Sequence, residues 1–473
     1  MRNVRVSFRS HSCCGRPSVS QSRRHTSRRK CMNIDSNAEQ VLSLVTKYGA
    51  KGDLIVDQGN AISLKARDGQ LEEHKVTSSR IFGLRVIKDD KVGTAYSEAA
   101  DSDSLSSLVE QALTNASYAT PEVHEKILAN DAQLSTDDGI FCPNETATTD
   151  DRIRLALELE RELASRDKVK NVPYNGIQDG VGERHVFSTE GLHASTRSRS
   201  CSAFAYALIE DGEKNAMEGS GQVARLFSDL DKTSLIEKVY QDAIDILNGE
   251  PVPSAHYDVI FNKEMQASLF GVFSVMFSGK SAKDGINPMR DKKGESIADP
   301  RLTIIDRPDL MEGFGYSLFD DEGTPTEALE LIKDGTLTSL IHNSMTASYF
   351  ESESTGHATR GPRSTLGVGL HQLAIKAGDA DEKELYSGKY LLITDLTGMH
   401  SGANAISGEF SFGASGYLCE NSERLKPVRN ITVAGNFYEM LQAISLIGKT
   451  SHWNWQRSSF MPSIRFADVA ISG

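Results

Sequence analysis

Apolar positions recur along this 473-residue chain with two periods, the three- to four-residue spacing of a half-buried helix and the alternation of a half-buried strand. Val41, Leu42, Leu44, Val45 and Tyr48 form an apolar stripe behind the capping pair Ser36 and Glu39, and Gly49 can end the helix they predict over Ser36–Tyr48. Alternating runs at Ala61–Ala66 and Gln70–Val76 flank Arg67-Asp68-Gly69, which predicts a tight hairpin. A further strand is expected at Phe82–Val86, then helices at Ser104–Ser117 and Asp151–Ser165, strands through Gly176–Ile209, and a helix at Ser234–Leu247.

Beyond Gly249-Glu250-Pro251-Val252-Pro253, which reads as a linker, the pattern changes. A strand at Tyr257–Phe261 enters an apolar helix at Glu264–Phe277, and from there strand signals dominate: Leu302–Asp306, Leu329–Ile332, Leu337–Ile341 and Tyr390–Asp395. The expected fold class is α+β: an N-terminal α/β region of hairpins and helices, then a largely antiparallel, barrel-like C-terminal sheet. The expected division is a basic tail over residues 1–31, an N-terminal α/β domain over 35–125, a middle α/β domain over 150–249, and a β-rich domain over 254–473.

Charge alters this picture only at one end. The net charge is −13, yet residues 1–31 carry eight Arg and one Lys with no acid. This tail is expected to be disordered. It reads as sequence upstream of a start at Met32, or else as an organellar transit peptide. The acidic remainder argues against nucleic acid as the main partner, and the sequence offers no apolar run long enough to span a membrane. Six scattered cysteines with no Cys-x-x-Cys form neither a disulfide framework nor a zinc ribbon, which points to a reducing, cytoplasmic setting.

The stretch Met399–Phe437 is the richest in chemistry, with glycines at irregular intervals among alternating residues and with His, Glu, Ser and Asn. Gly in a strand marks a bulge, a bend or a close backbone approach. A peptide can add to an exposed strand edge through main-chain hydrogen bonds, so Ser407, Gly408, Glu409, Phe410 and Ser411 are candidates for a peptide path. His400 and His357 are candidate substrate-facing residues, each weighed against a purely structural role. Gly367-Val368-Gly369 lacks the context of a nucleotide site. His124-Glu125 has Leu128 and Ala129 where a second zinc-binding His would fall.

Ser354-Thr355-Gly356-His357-Ala358, Phe319-Asp320-Asp321-Glu322-Gly323-Thr324, Ser407-Gly408-Glu409-Phe410-Ser411 and Val433-Ala434-Gly435-Asn436 together resemble the TldD/PmbA family, in its PmbA (TldE) branch. The resemblance spans about residues 35–470. It implies a two-subunit intracellular metalloprotease whose catalytic chain binds zinc through a His-Glu-x-x-x-His helix and a late Cys. In this chain the corresponding helix would be Glu264–Phe277, with Phe270, Gly271 and Val275 standing in place of the ligands. The resemblance therefore implies a subunit with no catalytic residue and no metal of its own. It would wall a chamber and bind peptide beside a TldD-like catalytic partner that carries the zinc. The alternative is a stand-alone, homodimeric binding or modulator protein. His400 with Glu409 as a metal-free peptidase pair is the third reading.

Overall fold

The computed structural model describes residues 21–473, with side chains described from Ile34 onward except at Asp138. The tail expectation falls partly on residues 1–20, which lie outside the described residues. From Gln21 the chain belongs to helix α1 (Gln21–Lys47), which begins well before the expected Ser36. The expected capping pair Ser36 and Glu39 thus lies inside the helix, which runs on from an Arg- and Lys-rich stretch of good helix formers.

The first half builds one seven-stranded sheet from β1 (Lys51–Arg67), β2 (Gln70–Lys88), β3 (Lys91–Ser97), β4 (Gln133–Ser135), β5 (Val169–Ser188), β6 (His193–Asp211) and β7 (Lys214–Ala224). Its order is β3-β2-β1-β5-β6, with β4 and β7 sharing the outer edge of β6. The predicted hairpin is present, with Asp68 and Gly69 both at positive φ, as a type I′ turn needs. Phe82–Val86 is the far half of β2 rather than a separate strand.

Two helix layers use different stretches of these long strands. Helix α1 and α2 (Ser102–Tyr118) bury Val41, Val45, Leu105, Leu108 and Val109 against Leu54, Val56, Phe82, Leu84 and Val86. After the single turn α3 (Asp138–Phe141), α4 (Thr149–Ala164) and α5 (Lys232–Ile246) cover Leu64, Ile177, Ala203, Ala205 and Ala207. The N-terminal and middle segments thus share one sheet.

The second half starts with β8 (Ala255–Phe261), α6 (Lys263–Val272) and α7 (Gly279–Lys283). Then come β9 (Ile304–Asp306), β10 (Leu329–Lys333), β11 (Thr336–Leu337), α8 (Ser344–Tyr349), β12 (Ala358–Thr359), β13 (Gly367–Val368) and β14 (Leu373–Ile375). The last strands are β15 (Lys389–Thr397), β16 (Glu409–Glu420), β17 (Glu423–Asn436), β18 (Ile444–Trp453) and β19 (Ser459–Ser472). Strands β19, β17, β16, β15 and β8 close into a ring, because β8 pairs with both β15 and β19. An arm, β14-β9-β10-β11, extends from β19. The α+β class holds, with this second sheet mixed: the β8–β15 and β14–β19 pairs are parallel.

Two expected boundaries move. The strand expected at Leu337–Ile341 stops at Leu337; Ile341 turns instead to bond Phe277 and Gly279. The helix expected to Phe277 ends at Val272 and continues as a 3₁₀ turn over Ser274–Phe277, where the Ser274 hydroxyl donates to Gly271 O (2.8 Å).

Candidate functional site

Helix α6 has two unlike faces. One carries Leu269 and Phe270, which with Phe273 enter the barrel core; Phe273 stacks on Phe437 at 4.4 Å and meets Phe410 edge-on. The other, Ala267, Ser268, Gly271 and Val272, continues through Ser274, Val275, Ser278 and Ser281 as one wall of an open groove of about 610 Å³. Val368, Gly369, Leu370 and His371 form the facing wall, and Asn454, Gln456, Ser458 and Ser459 also line it.

This groove lies on the helix expected to carry the metal ligands, and the donor set does not fit one there. Phe270 is buried in the core, Gly271 has no side chain, and Val275 is aliphatic. The one carboxylate on α6, Glu264, lines a different hollow and accepts the Trp455 backbone N–H at 3.0 Å. His371 is the sole imidazole among the described groove residues, against the three or four N, S or O ligands that a zinc site needs. A Cβ on Gly271 would have nothing within 4 Å. Gly271→Ala is therefore expected to raise stability by about 0.5–1 kcal/mol through helix propensity, read by chemical denaturation; a loss would mean this face is covered.

The candidates from Met399–Phe437 share a corner but play different parts. His400 lies exposed in a turn. Ser407, Glu409 and Ser411 are exposed, whereas Gly408 and Phe410 are buried. Gly408 has φ +87°, and a Cβ there would lie 2.5 Å from Asn436 Oδ1. Asn436 Nδ2 donates to Ser407 O (2.9 Å) and to Glu409 Oε1 (3.3 Å), which fastens this corner. The expected strand edge is not free. Strand β16 pairs with β17 along its length and with β15 from Gly413 on. Over Glu409–Ser411 the returning loop takes the other side, with Asn404 N–H donating to Glu409 O and Ser411 N–H to Gly402 O. The glycines of β16 serve barrel closure instead: Gly416 lies against the Leu392 carbonyl, and Gly413 against Thr397.

His357 lies elsewhere. It is fully buried, offers no surface to a peptide, and meets two residues that its sequence neighbourhood does not suggest. Asp306 ends β9, His357 precedes β12, and His371 precedes β14. His357 Nε2 lies 3.0 Å and His371 Nδ1 2.8 Å from the same oxygen, Asp306 Oδ2. Asp306 Oδ1 accepts the backbone N–H groups of His371 and Gln372, both at 2.9 Å. Burial works to raise the Asp306 carboxyl, but the two imidazoles beside it, His357 and His371, hold it below the usual range. These partners lie 51 and 65 residues away in sequence, so no motif spacing announces the cluster.

His342, beside Gly279 and bonded through Nδ1 to the Thr346 hydroxyl (3.1 Å), is held neutral. Burial, then the charges of Lys293 and His357, lower its pKa to about 4. The unfolded imidazole, near 6.5, takes up a proton that the folded one refuses, so this stability is present above pH 6.5 and is lost as pH falls toward 4. His342→Gln is expected to remove on the order of 2 kcal/mol of that acid-side slope, measured by denaturation at pH 7 and pH 4.5.

Comparison with known proteins places this architecture. Models of the PmbA/TldA metallopeptidase match in three parts: domain 1 over residues 52–116, the central domain over 142–247 and the C-terminal domain over 254–473. The chain belongs to the PmbA/TldD family. Metalloprotease PmbA of Escherichia coli O157:H7 is 26% identical over 424 residues, covering 88% of this chain and 91% of that protein. The PmbA homologue of Haemophilus influenzae is 26% identical over 415 residues, covering 85% and 88%. Among solved structures, a Thermotoga maritima protein described as a modulator of a DNA gyrase superposes with a TM-score of 0.81 at 25% identity, covering 93% of this chain and all of that one. TldE from Thermococcus kodakarensis has the same TM-score at 22% identity, covering 92% and 100%, a likeness of fold. Within this PmbA/TldD chain, then, the groove on α6 carries no metal-ligating set, and no described helix is long and apolar enough to cross a membrane.

Proposed function

We propose that the chain is the PmbA/TldE-type subunit of a cytoplasmic two-chain metalloprotease acting on unfolded peptides. One observation carries this reading: the groove wall formed by α6 and the 3₁₀ turn after it presents Ala267, Ser268, Gly271, Val272 and Val275, with no acid, imidazole or thiol among them. Hydrolysis of a peptide bond needs an activated water and a general base, and on this reading both come from a TldD-like catalytic partner. This subunit contributes chamber wall and peptide contacts. With β16 paired on both sides, those contacts are made by side chains at the exposed corner, His400, Ser407, Glu409 and Ser411, and by the groove walls.

The experiment is size-exclusion chromatography of the full chain with and without the TldD-like chain from the same genome. A 1:1 hetero-complex forming at the expense of any homodimer is expected. Two chains that elute separately at micromolar concentration would overturn the reading.

A further inference from the structure

The cluster behind the far wall of the groove poses a problem of lone pairs. His357 Nδ1 lies 2.6 Å from Thr355 O. A carbonyl oxygen only accepts, so this nitrogen carries the hydrogen and Nε2 presents its lone pair. Nε2 faces Asp306 Oδ2 at 3.0 Å, with both side chains fully buried. Two electron-rich atoms at that distance require a positive centre between or beside them, either a second proton on His357 or a metal cation.

The surroundings favour the metal. Protons would meet the two contacts one by one, on His357 Nε2 and on His371 Nδ1, whereas one cation would meet both, and three donor atoms converge on its place: Asp306 Oδ2, His357 Nε2 and a ring nitrogen of His371, all within 4.8 Å of one another. Asp306 Oδ1 is already taken by two backbone N–H groups, which aims Oδ2 at the imidazoles. An imidazole that donates its other N–H to a backbone carbonyl is held as metal-ligating histidines commonly are. Two nitrogens and one oxygen suit zinc or cobalt and not calcium or magnesium, which take oxygen ligands. Metal–ligand bonds of about 2.0–2.2 Å would require the 2.8 and 3.0 Å contacts to widen by a few tenths of an ångström.

We propose that Asp306, His357 and His371 bind one divalent transition-metal ion, zinc by its donor set, that pins β9 to the segments entering β12 and β14. This site is separate from the groove face of α6 and takes no part in hydrolysis. It shapes the wall that His371 presents to the groove.

The test is titration of the full-length chain, stripped with chelator, with Co²⁺ alone, followed by visible absorption and thermal denaturation. One equivalent should give a d–d band that Zn²⁺ abolishes, together with a rise in melting temperature. His371→Ala should weaken binding by more than about tenfold. The His371 side chain reaches the groove edge and tolerates truncation better than the buried His357. Absence of stoichiometric binding by the wild type, or a band unchanged in His371→Ala, overturns the proposal and leaves a protonated His357. Either result concerns this chain alone and leaves the hetero-complex test independent.

Discussion

Arg85→Ala is expected to cost on the order of 3–5 kcal/mol in stability, several times the cost of breaking an exposed ion pair. Arg85 is 1% exposed. Its Nε donates to Asp53 (2.9 Å), its Nη1 to Glu125 (2.8 Å), and Glu322 stands 3.7 Å away. Burial alone would lower its pKa, but the charges of Asp53, Glu322 and Glu125 raise it, so it stays cationic. Arg360, from the second half of the chain, also pairs with Asp53, 307 residues distant. Nearby, Arg184 bridges Asp57 of β1 (2.7 Å) and Asp321 (2.9 Å). The network therefore clamps the loops at 320–322 and 360 onto the first sheet. Removing Arg85 strips three buried carboxylates of the cation they share, which is costlier than the pairing was favourable. Urea denaturation measures the loss. The partly exposed pair Lys65–Glu72 is the control, and Lys65→Ala should cost below about 1 kcal/mol.

Gly416→Ala is expected to cost on the order of 3 kcal/mol, opposite in sign to the same substitution at Gly271. A Cβ on Gly416 would overlap the Leu392 carbonyl in the adjoining strand, and the carbonyl cannot move without breaking the β15–β16 ladder. If the glycines of this segment existed to admit a peptide, Gly416→Ala would leave stability unchanged and reduce substrate binding. If they close the barrel, stability falls first. Thermal denaturation of both variants separates these outcomes.

Periodicity made most of the elements legible. The apolar stripe of α2, the Asp-Gly turn at Asp68, and the strand pattern after Pro253 each report local physics: burial of one face, or tolerance of positive φ. The apolar character of α6, with Phe270 buried and Gly271 bare, was legible too, because an apolar run without His or Cys shows in composition. Long-range pairing was not. The free edge read for residues 407–411 is filled by the loop 402–404, with β15 taking over from Gly413, and a chain read one residue at a time does not disclose its neighbours. Asp306 stood in the sequence only as the end of a strand, and nothing in the sequence singled out His371. Their meeting with His357 depends on how β9, β12 and β14 dock, which no spacing encodes.

The central claim is that this chain lacks cutting chemistry and gains function in a pair. It is tested most directly by assaying cleavage of an unfolded polypeptide by the purified full-length chain, by the TldD-like chain, and by their equimolar mixture, each with zinc present. No cleavage is expected from this chain alone, and robust cleavage from the mixture, abolished when the His-Glu-x-x-x-His motif of the catalytic chain is mutated. Robust cleavage by this chain alone, unaffected by removing every trace of the partner, would contradict the claim.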